Sequence, residues 1–249
     1  MTTPTGPVLL FTPGIDSLLA LHALKEENPL LVYYALSSRY TEREISTLMQ
    51  MGFEHIQFDT TFNFNTIEKE DAHIEHRNLH LGLHACGHYG NVVYINGTAS
   101  DRVSDNNPHI MDMLSELACE SLGRFVTIKS PFINDVYKCE LAQSYVKDGG
   151  DPVALANTFS CYKPRKEHVD LTYDNNGEKL PITTFECMRC KACFRKGVVL
   201  NAIGIYRAFR QPRITDDYEA EFLDCIDARA KATLDYIYRV RNGGNRKDS

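Results

Sequence analysis

Four cysteines carry the clearest chemistry in this chain: Cys161, then Cys187, Cys190 and Cys193. Two successive C-x2-C steps let neighbouring sulfurs reach one ion, and Cys161 ties in a distant stretch of chain. Four thiolates are the set that a closed tetrahedral zinc site uses. The same run can ligate an iron–sulfur cluster, which stays open on spacing alone. Lys191, Arg195 and Lys196 lie beside the cluster and would offset the net −2 charge of zinc with four thiolates. A second candidate lies near the start, in Thr12-Pro13-Gly14-Ile15-Asp16-Ser17. An apolar run precedes it and a helical pattern follows. A strand, tight loop and helix start in that order present backbone N–H groups and the positive end of a helix dipole to an anion. Gly14 permits close approach, Ser17 has a hydroxyl to donate, and Asp16 can cap N–H groups or help hold a metal ion.

The elements that must position these residues alternate. Predicted strands cover 7–12, 29–36, 55–59 and 91–97, with a fifth inside 124–132. Predicted helices cover 17–27, 41–51, 78–89, 110–122 and 137–147. Such alternation implies an α/β, Rossmann-like fold, a mostly parallel sheet with helices on both faces. Ligands of such sheets bind beyond the C-terminal ends of the strands, near the point where the winding reverses. Thr41 and Glu44 have the spacing of a capping box for the second helix. Beyond about residue 150 the pattern becomes loop-rich through 158–193, then helical over 194–203 and 216–240. The expected organisation is a nucleotide-binding α/β domain over 1–150 and a zinc-binding loop with C-terminal helices over 151–249, an appendage of one fold. His76, His80, His84 and His88 recur every four residues and form one stripe on a helix. They read as partly buried polar residues near the mouth of a site or a subunit contact, with a shared metal as the rarer use.

Composition narrows the classes. The chain has 249 residues, 43% hydrophobic and 24% charged, enough to bury a sizeable core. A net charge of −6 argues against a broad nucleic-acid surface. No apolar run approaches the roughly 20 residues needed to span a bilayer, and the first residues have no basic region before a short apolar run. The expected location is the cytoplasm. Of eight cysteines, Cys86, Cys119, Cys139 and Cys225 are scattered singly, so metal binding by the clustered four fits better than a disulfide framework.

The loop at 12–17 resembles the S-G-G-x-D-S loop of PP-loop ATP pyrophosphatases. It matches in position, in Gly14, Asp16 and Ser17, and departs at Thr12 for Ser and Pro13 for the first Gly. Pro13 has no N–H and a fixed φ, so one donor to pyrophosphate is lost. The segment TFSCY at 158–162, followed by C-x2-C-x2-C and a helix, is similar to the zinc motif of 7-cyano-7-deazaguanine synthases, with Phe159 in place of Trp and a longer insertion at 162–186. That insertion is polar and turn-rich, as a hairpin would be. Three further segments resemble that family in the same order: His76-Arg77-Asn78 opening a helix, Asn96 to Asp101 with Asp105 beyond, and 130–143 with its proline and Lys138.

The resemblance covers residues 8 to about 204 and implies a fold of the adenine-nucleotide α-hydrolase type and an ATP-dependent C–N ligase. It implies that Thr12, Gly14, Asp16, Ser17, Arg77 and Lys138 contact ATP, with Asp16, Ser17 and Lys138 taking part in the chemistry and Mg²⁺ assisting. Arg77, Asn78, Gly97, Asp101 and Asp105 would hold a deazaguanine, where one carboxylate can accept from the two donors of a guanine-like edge. Cys161, Cys187, Cys190 and Cys193 would bind structural Zn²⁺. The implied reaction takes 7-carboxy-7-deazaguanine, ammonia and ATP to the nitrile, in a homodimer acting in queuosine precursor supply. Pro13 and the insertion leave two alternatives: a divergent enzyme adenylating another carboxylate or modifying a nucleobase or macromolecule, or a catalytically impaired subunit that still binds nucleotide or deazapurine.

Overall fold

The structure is a computed structural model. It describes residues 6–53, 55–69, 74–99, 101, 106–132, 136–164, 172–174, 176–181, 186–188, 190–207 and 228–241. By internal contacts the chain divides into two compact units, residues 1–135 and 136–249. That division precedes the expected boundary near 150 and groups the helix over 138–147 with the cysteines.

In the first unit, five parallel strands form one sheet: β1 (Pro7–Leu10), β2 (Leu30–Tyr34), β3 (Gln57–Asp59), β4 (Val92–Tyr94) and β5 (Thr127–Lys129). Their order is β3-β2-β1-β4-β5. The chain winds outward to one side from β1 through β2 and β3, then returns to the other side of β1 with β4 and β5. The switch point therefore lies between β1 and β4, which pair through Val8 with Val93 and Leu9 with Tyr94.

Successive side chains of a strand face opposite ways, and both faces here are covered. Val8, Leu10, Val32, Tyr34, Val93, Ile95 and Ile128 pack with Leu81, Ala85 and Cys86 of α3 (Arg77–His88) and with Met111, Leu114 and Ala118 of α4 (Pro108–Leu122). On the other face Leu9, Phe11, Tyr33 and Tyr94 pack with Ala20 of α1 (Ile15–Ala23) and Leu48 of α2 (Thr41–Gln50). The three inner strands, β1, β2 and β4, are apolar on both faces for this reason, as buried parallel strands must be. The expected α/β sheet with helices on both faces is what the chain forms.

Two local expectations change. Thr41 is the first residue inside α2 rather than its cap, its hydroxyl 3.0 Å from that of Ser38. Glu44 accepts the Tyr33 hydroxyl at 2.8 Å, so tertiary contact overrides the local capping box. Asn107 caps α4 instead, accepting the N–H of Ile110 at 3.1 Å ahead of Pro108.

The second unit contains α5 (Lys138–Lys147), α6 (Pro152–Asn157), α7 (Lys191–Ala202) and α8 (Ala228–Arg241). The helix α6 had no counterpart in the sequence reading; Asp151 caps it ahead of Pro152 by accepting the Val153 N–H at 2.8 Å. Part of the insertion is a hairpin. Thr172 and Tyr173 form β6, which pairs antiparallel with β7 (Tyr206–Arg207), and Tyr173 bridges Lys179. Asp174 closes its turn, Oδ1 accepting the N–H groups of Asn176 and Glu178 at 2.8 Å each. Helix α8 is anchored to α5 where Tyr236 stacks on Tyr137 at 4.5 Å and donates to Glu140 at 2.7 Å. The part of the expected final helix before 228 lies outside the described residues. Among the described residues no helix is long and apolar enough to cross a membrane.

Candidate active site and metal centre

At the switch point, residues 12–17 lead from β1 into α1, and residues 95–99 leave β4 beside them. Gly14 is the N-cap of α1 with extended backbone (φ −74°, ψ 155°), a residue with no side chain of its own to cap the helix. An N-terminus in that state offers its first N–H groups and the dipole to an anion.

Ser17 is 2% exposed, and its hydroxyl is engaged within the loop. It accepts the Thr12 N–H at 3.0 Å and the Asn96 amide at 2.8 Å, and it lies 3.1 Å from the Thr12 hydroxyl. A serine hydroxyl has two acceptor positions and one proton. With both positions filled, its proton goes to Thr12 Oγ1, which also receives the Gly14 N–H at 3.4 Å. The hydroxyl proton left to face a ligand is that of Thr12, an exposed residue. Ser17 thus clamps the loop, and Thr12 presents it.

Asn96 completes the clamp across the two strands, its amide donating to the Leu10 carbonyl at 2.9 Å as well as to Ser17. Asn106 in turn donates to the Asn96 carbonyl at 2.9 Å. The side-chain oxygens of Asn96 and Asn106 are buried without a hydrogen-bond partner among the described residues. Gly97 packs so closely that a Cβ there would lie 2.6 Å from Asn106 Nδ2 and 3.0 Å from Ser130 Oγ. Sequence reading assigned Gly97 a role, named Asn96 only as the start of its segment, and left Asn106 unmentioned. For Asn96, its position just after the buried strand β4 at the switch point is the signal that could have found its role; Asn106 lies next to the N-cap of α4 and has no such signal.

The other expected site residues are distributed unevenly. Asp101 closes the turn after β4, its Oδ2 accepting both the N–H and the hydroxyl of Thr98 at 3.0 Å. Asp105 lies outside the described residues. Arg77 and Asn78 open α3, whose N-cap His76 adopts a left-handed φ of 56°. Arg77 is close enough to Glu44 for its charge to lower the Glu44 pKa, yet burial prevails and pushes that carboxyl up to about 7. Lys138 is the first residue of α5 and belongs to the second unit.

The histidine stripe resolves into mostly exposed residues and one embedded group. His84 lies 2.9 Å from the Tyr34 hydroxyl and 3.7 Å from Asp59, and it stacks on His88 at 4.2 Å. Asp59 also receives the Tyr89 hydroxyl at 2.5 Å and the Thr61 N–H at 2.7 Å. Burial lowers the His84 pKa in spite of Asp59; of the four histidines expected to be partly buried only His84 is, while His76, His80 and His88 are exposed.

In the second unit, Cys161, Cys187, Cys190 and Cys193 place their sulfurs within 4.8 Å of one another. Cys161 lies 3.9 Å from Cys190, Cys187 3.9 Å from Cys193, and Cys190 3.6 Å from Cys193. Cys190 is the N-cap of α7, which starts earlier than expected so that Cys193 sits in its first turn. Met188 takes a left-handed φ of 58° between the first two cysteines of the run. Backbone N–H groups of Lys163 and Cys187 both donate to Cys161 Sγ at 3.2 Å. Hydrogen bonding from the other three sulfurs holds Cys190 below the ordinary thiol range, while contacts with Cys187 and Cys190 push Cys161 up and contacts with the other three sulfurs push Cys193 up. Four converging thiols with N–H donors behind them fit a tetrahedral soft metal ion such as zinc.

No protein-family model matches this chain, and no curated protein matches it. Eight chains of solved structure are similar to it. One is described as a predicted subunit of tRNA methyltransferase from Methanocaldococcus jannaschii. It is 14% identical and superposes with a TM-score of 0.39, covering 61% of this chain and 92% of that one. A likeness that distant transfers no property to this chain.

Proposed function

We propose that this protein is an ATP-consuming adenylating enzyme of the PP-loop kind, acting on 7-carboxy-7-deazaguanine and ammonia to give 7-cyano-7-deazaguanine. The observation that carries the reading is the glycine-capped start of α1 at the β1–β4 switch point, with Thr12, Gly14 and Asp16 around it. An anion of the size of the ATP diphosphate fits such a helix start.

The reaction needs positioning and charge stabilisation more than a side-chain nucleophile. The substrate carboxylate attacks the α-phosphorus of ATP, pyrophosphate leaves, and a mixed anhydride with AMP remains. Ammonia adds to the acyl carbon and expels AMP, leaving the amide. The amide oxygen attacks a second ATP in the same way, and loss of AMP and a proton leaves the nitrile. In this scheme the N–H groups of the first turn of α1 and the Thr12 hydroxyl bind the departing pyrophosphate. Ser17 and Asn96 keep the loop in place. Asp16 would hold the Mg²⁺ that shields the phosphates, and Arg77, Asn78, Gly97, Asp101, Asp105 and Lys138 keep the substrate and nucleotide roles implied by the resemblance. Zinc at the four cysteines would be structural. The setting is a cytoplasmic homodimer in deazapurine supply.

Incubation with ATP, Mg²⁺, ammonium and 7-carboxy-7-deazaguanine tests this by mass spectrometry of the base and chromatography of the nucleotide. The expected result is nitrile with two AMP per nitrile; no AMP and no nitrile overturns it. Pro13 favours a second reading, because it removes one N–H from the cradle. In that reading the chain adenylates a different acceptor, or binds nucleotide or deazapurine without turnover. AMP without nitrile selects the first of these, and AMP release appearing only in Pro13→Gly selects the second.

A further inference from the structure

Three separate segments bring the four sulfurs together: 156–161, 186–187 and 190–196. One buried ion pair joins the same three segments. Lys196 is 1% exposed and Glu186 0%. Lys196 Nζ lies 3.2 Å from Glu186 Oε2. It donates to the Ala156 carbonyl at 3.0 Å and also to the Thr158 carbonyl. The second carboxylate oxygen, Glu186 Oε1, accepts the Ser160 N–H at 2.6 Å.

The placement of these partners is specific. Glu186 directly precedes Cys187, Ser160 directly precedes Cys161, and Lys196 lies three residues beyond Cys193, almost one turn along α7. Each segment is thereby pinned within a few residues of a sulfur. An ammonium has three protons, and all three find acceptors on these segments. Burying two charges costs several kcal/mol per ion before pairing, and an apolar pair of similar volume often serves stability equally well. Stability alone therefore gives little reason for this pair, whereas a requirement for one fixed geometry does.

We propose that Glu186 and Lys196 are positioning residues for the four-sulfur centre. They preset the approach of its three chain segments, so that a metal ion meets ligands already converged. Groups behind the ligands commonly set metal affinity in this way. The inference rests on the cysteines being a metal site and is independent of the ATP chemistry.

The test uses the full chain with zinc and cobalt(II) as probes. Zinc affinity is measured by competition with a chromophoric chelator, and coordination from the cobalt–thiolate absorption bands. The variants are Glu186→Gln, Lys196→Met and the double variant Glu186→Gln/Lys196→Met, which leaves neither charge alone. Circular dichroism checks that each is folded. The expected outcome is a zinc Kd raised roughly 10–100-fold in the folded variants, the double variant included, with altered tetrahedral cobalt bands. A folded double variant that binds zinc within about twofold of the parent, with unchanged bands, overturns the inference while leaving the metal site intact. A parent that shows no cysteine-dependent cobalt bands overturns both.

Discussion

A hydroxyl has one proton to give, and at Ser17 that proton is directed to Thr12 once two N–H groups occupy the oxygen. The two residues therefore respond differently to truncation. Thr12→Val removes an exposed hydroxyl and should lower AMP formation about 100–1,000-fold, the range for losing one preorganised donor, with a smaller loss of stability than Ser17→Ala because the Gly14 N–H contact it breaks is long, at 3.4 Å, and exposed. Ser17→Ala leaves the Thr12 N–H and the Asn96 amide without their acceptor and should cost about 1–3 kcal/mol of stability as well, measurable by urea unfolding. A reversed order of the two stabilities would contradict the assignment. Glu44 tests a different term. Burial raises its carboxyl from the usual 4.5 to about 7 in the folded state. Between those values the folded protein holds more protons than the unfolded chain, so stability falls as pH rises through that window. Glu44→Gln should flatten that fall and raise the melting temperature by a few degrees at pH 8 while changing it little at pH 4.5. Parallel melting curves at both pH values would refute the burial argument.

At the scale of elements, two glycines of one helix end make a sensitive comparison. Gly90 lies just beyond α3, where a Cβ would meet the Gly6 carbonyl oxygen at 2.4 Å and Val8 Cγ2 at 2.6 Å. The first of these is backbone and cannot swing aside. Gly90→Ala should destabilise by about 1–3 kcal/mol, as forced overpacking does. Gly87, inside α3, has nothing within 4 Å of such a Cβ, and Gly87→Ala should stabilise by up to about 1 kcal/mol through helix propensity. Chemical denaturation of the pair checks both signs. The elements themselves were largely legible in the sequence. The inner strands show as short apolar runs because both faces are buried, and the helices between them complete the alternation. What local patterns missed has local reasons. Six residues form α6, too few for a period to register. The capping box at Thr41 was overruled by Tyr33, distant in sequence and adjacent in space.

For the whole molecule, the two units predict separable responses. Metal binding to four thiolates contributes directly to the stability of the chain that it closes. Removing metal with a strong chelator should therefore raise amide hydrogen exchange in 158–164 and 186–202 and leave the strands of the sheet protected. Uniform loss of protection over both units would show that the sulfur centre supports the entire chain. The cysteines and the loop at 12–17 stand out in the sequence because their chemistry depends on residue type and short spacing. So does the alternation that specifies a doubly covered parallel sheet. Only the tertiary structure decided that β1 and β4 are neighbours, and with that the clamp of Asn96 on Ser17, since strand order depends on how the chain winds and leaves no local trace. It alone paired Glu186 with Lys196, because the desolvation that makes a buried charge seek its partner exists only when distant segments have closed around it.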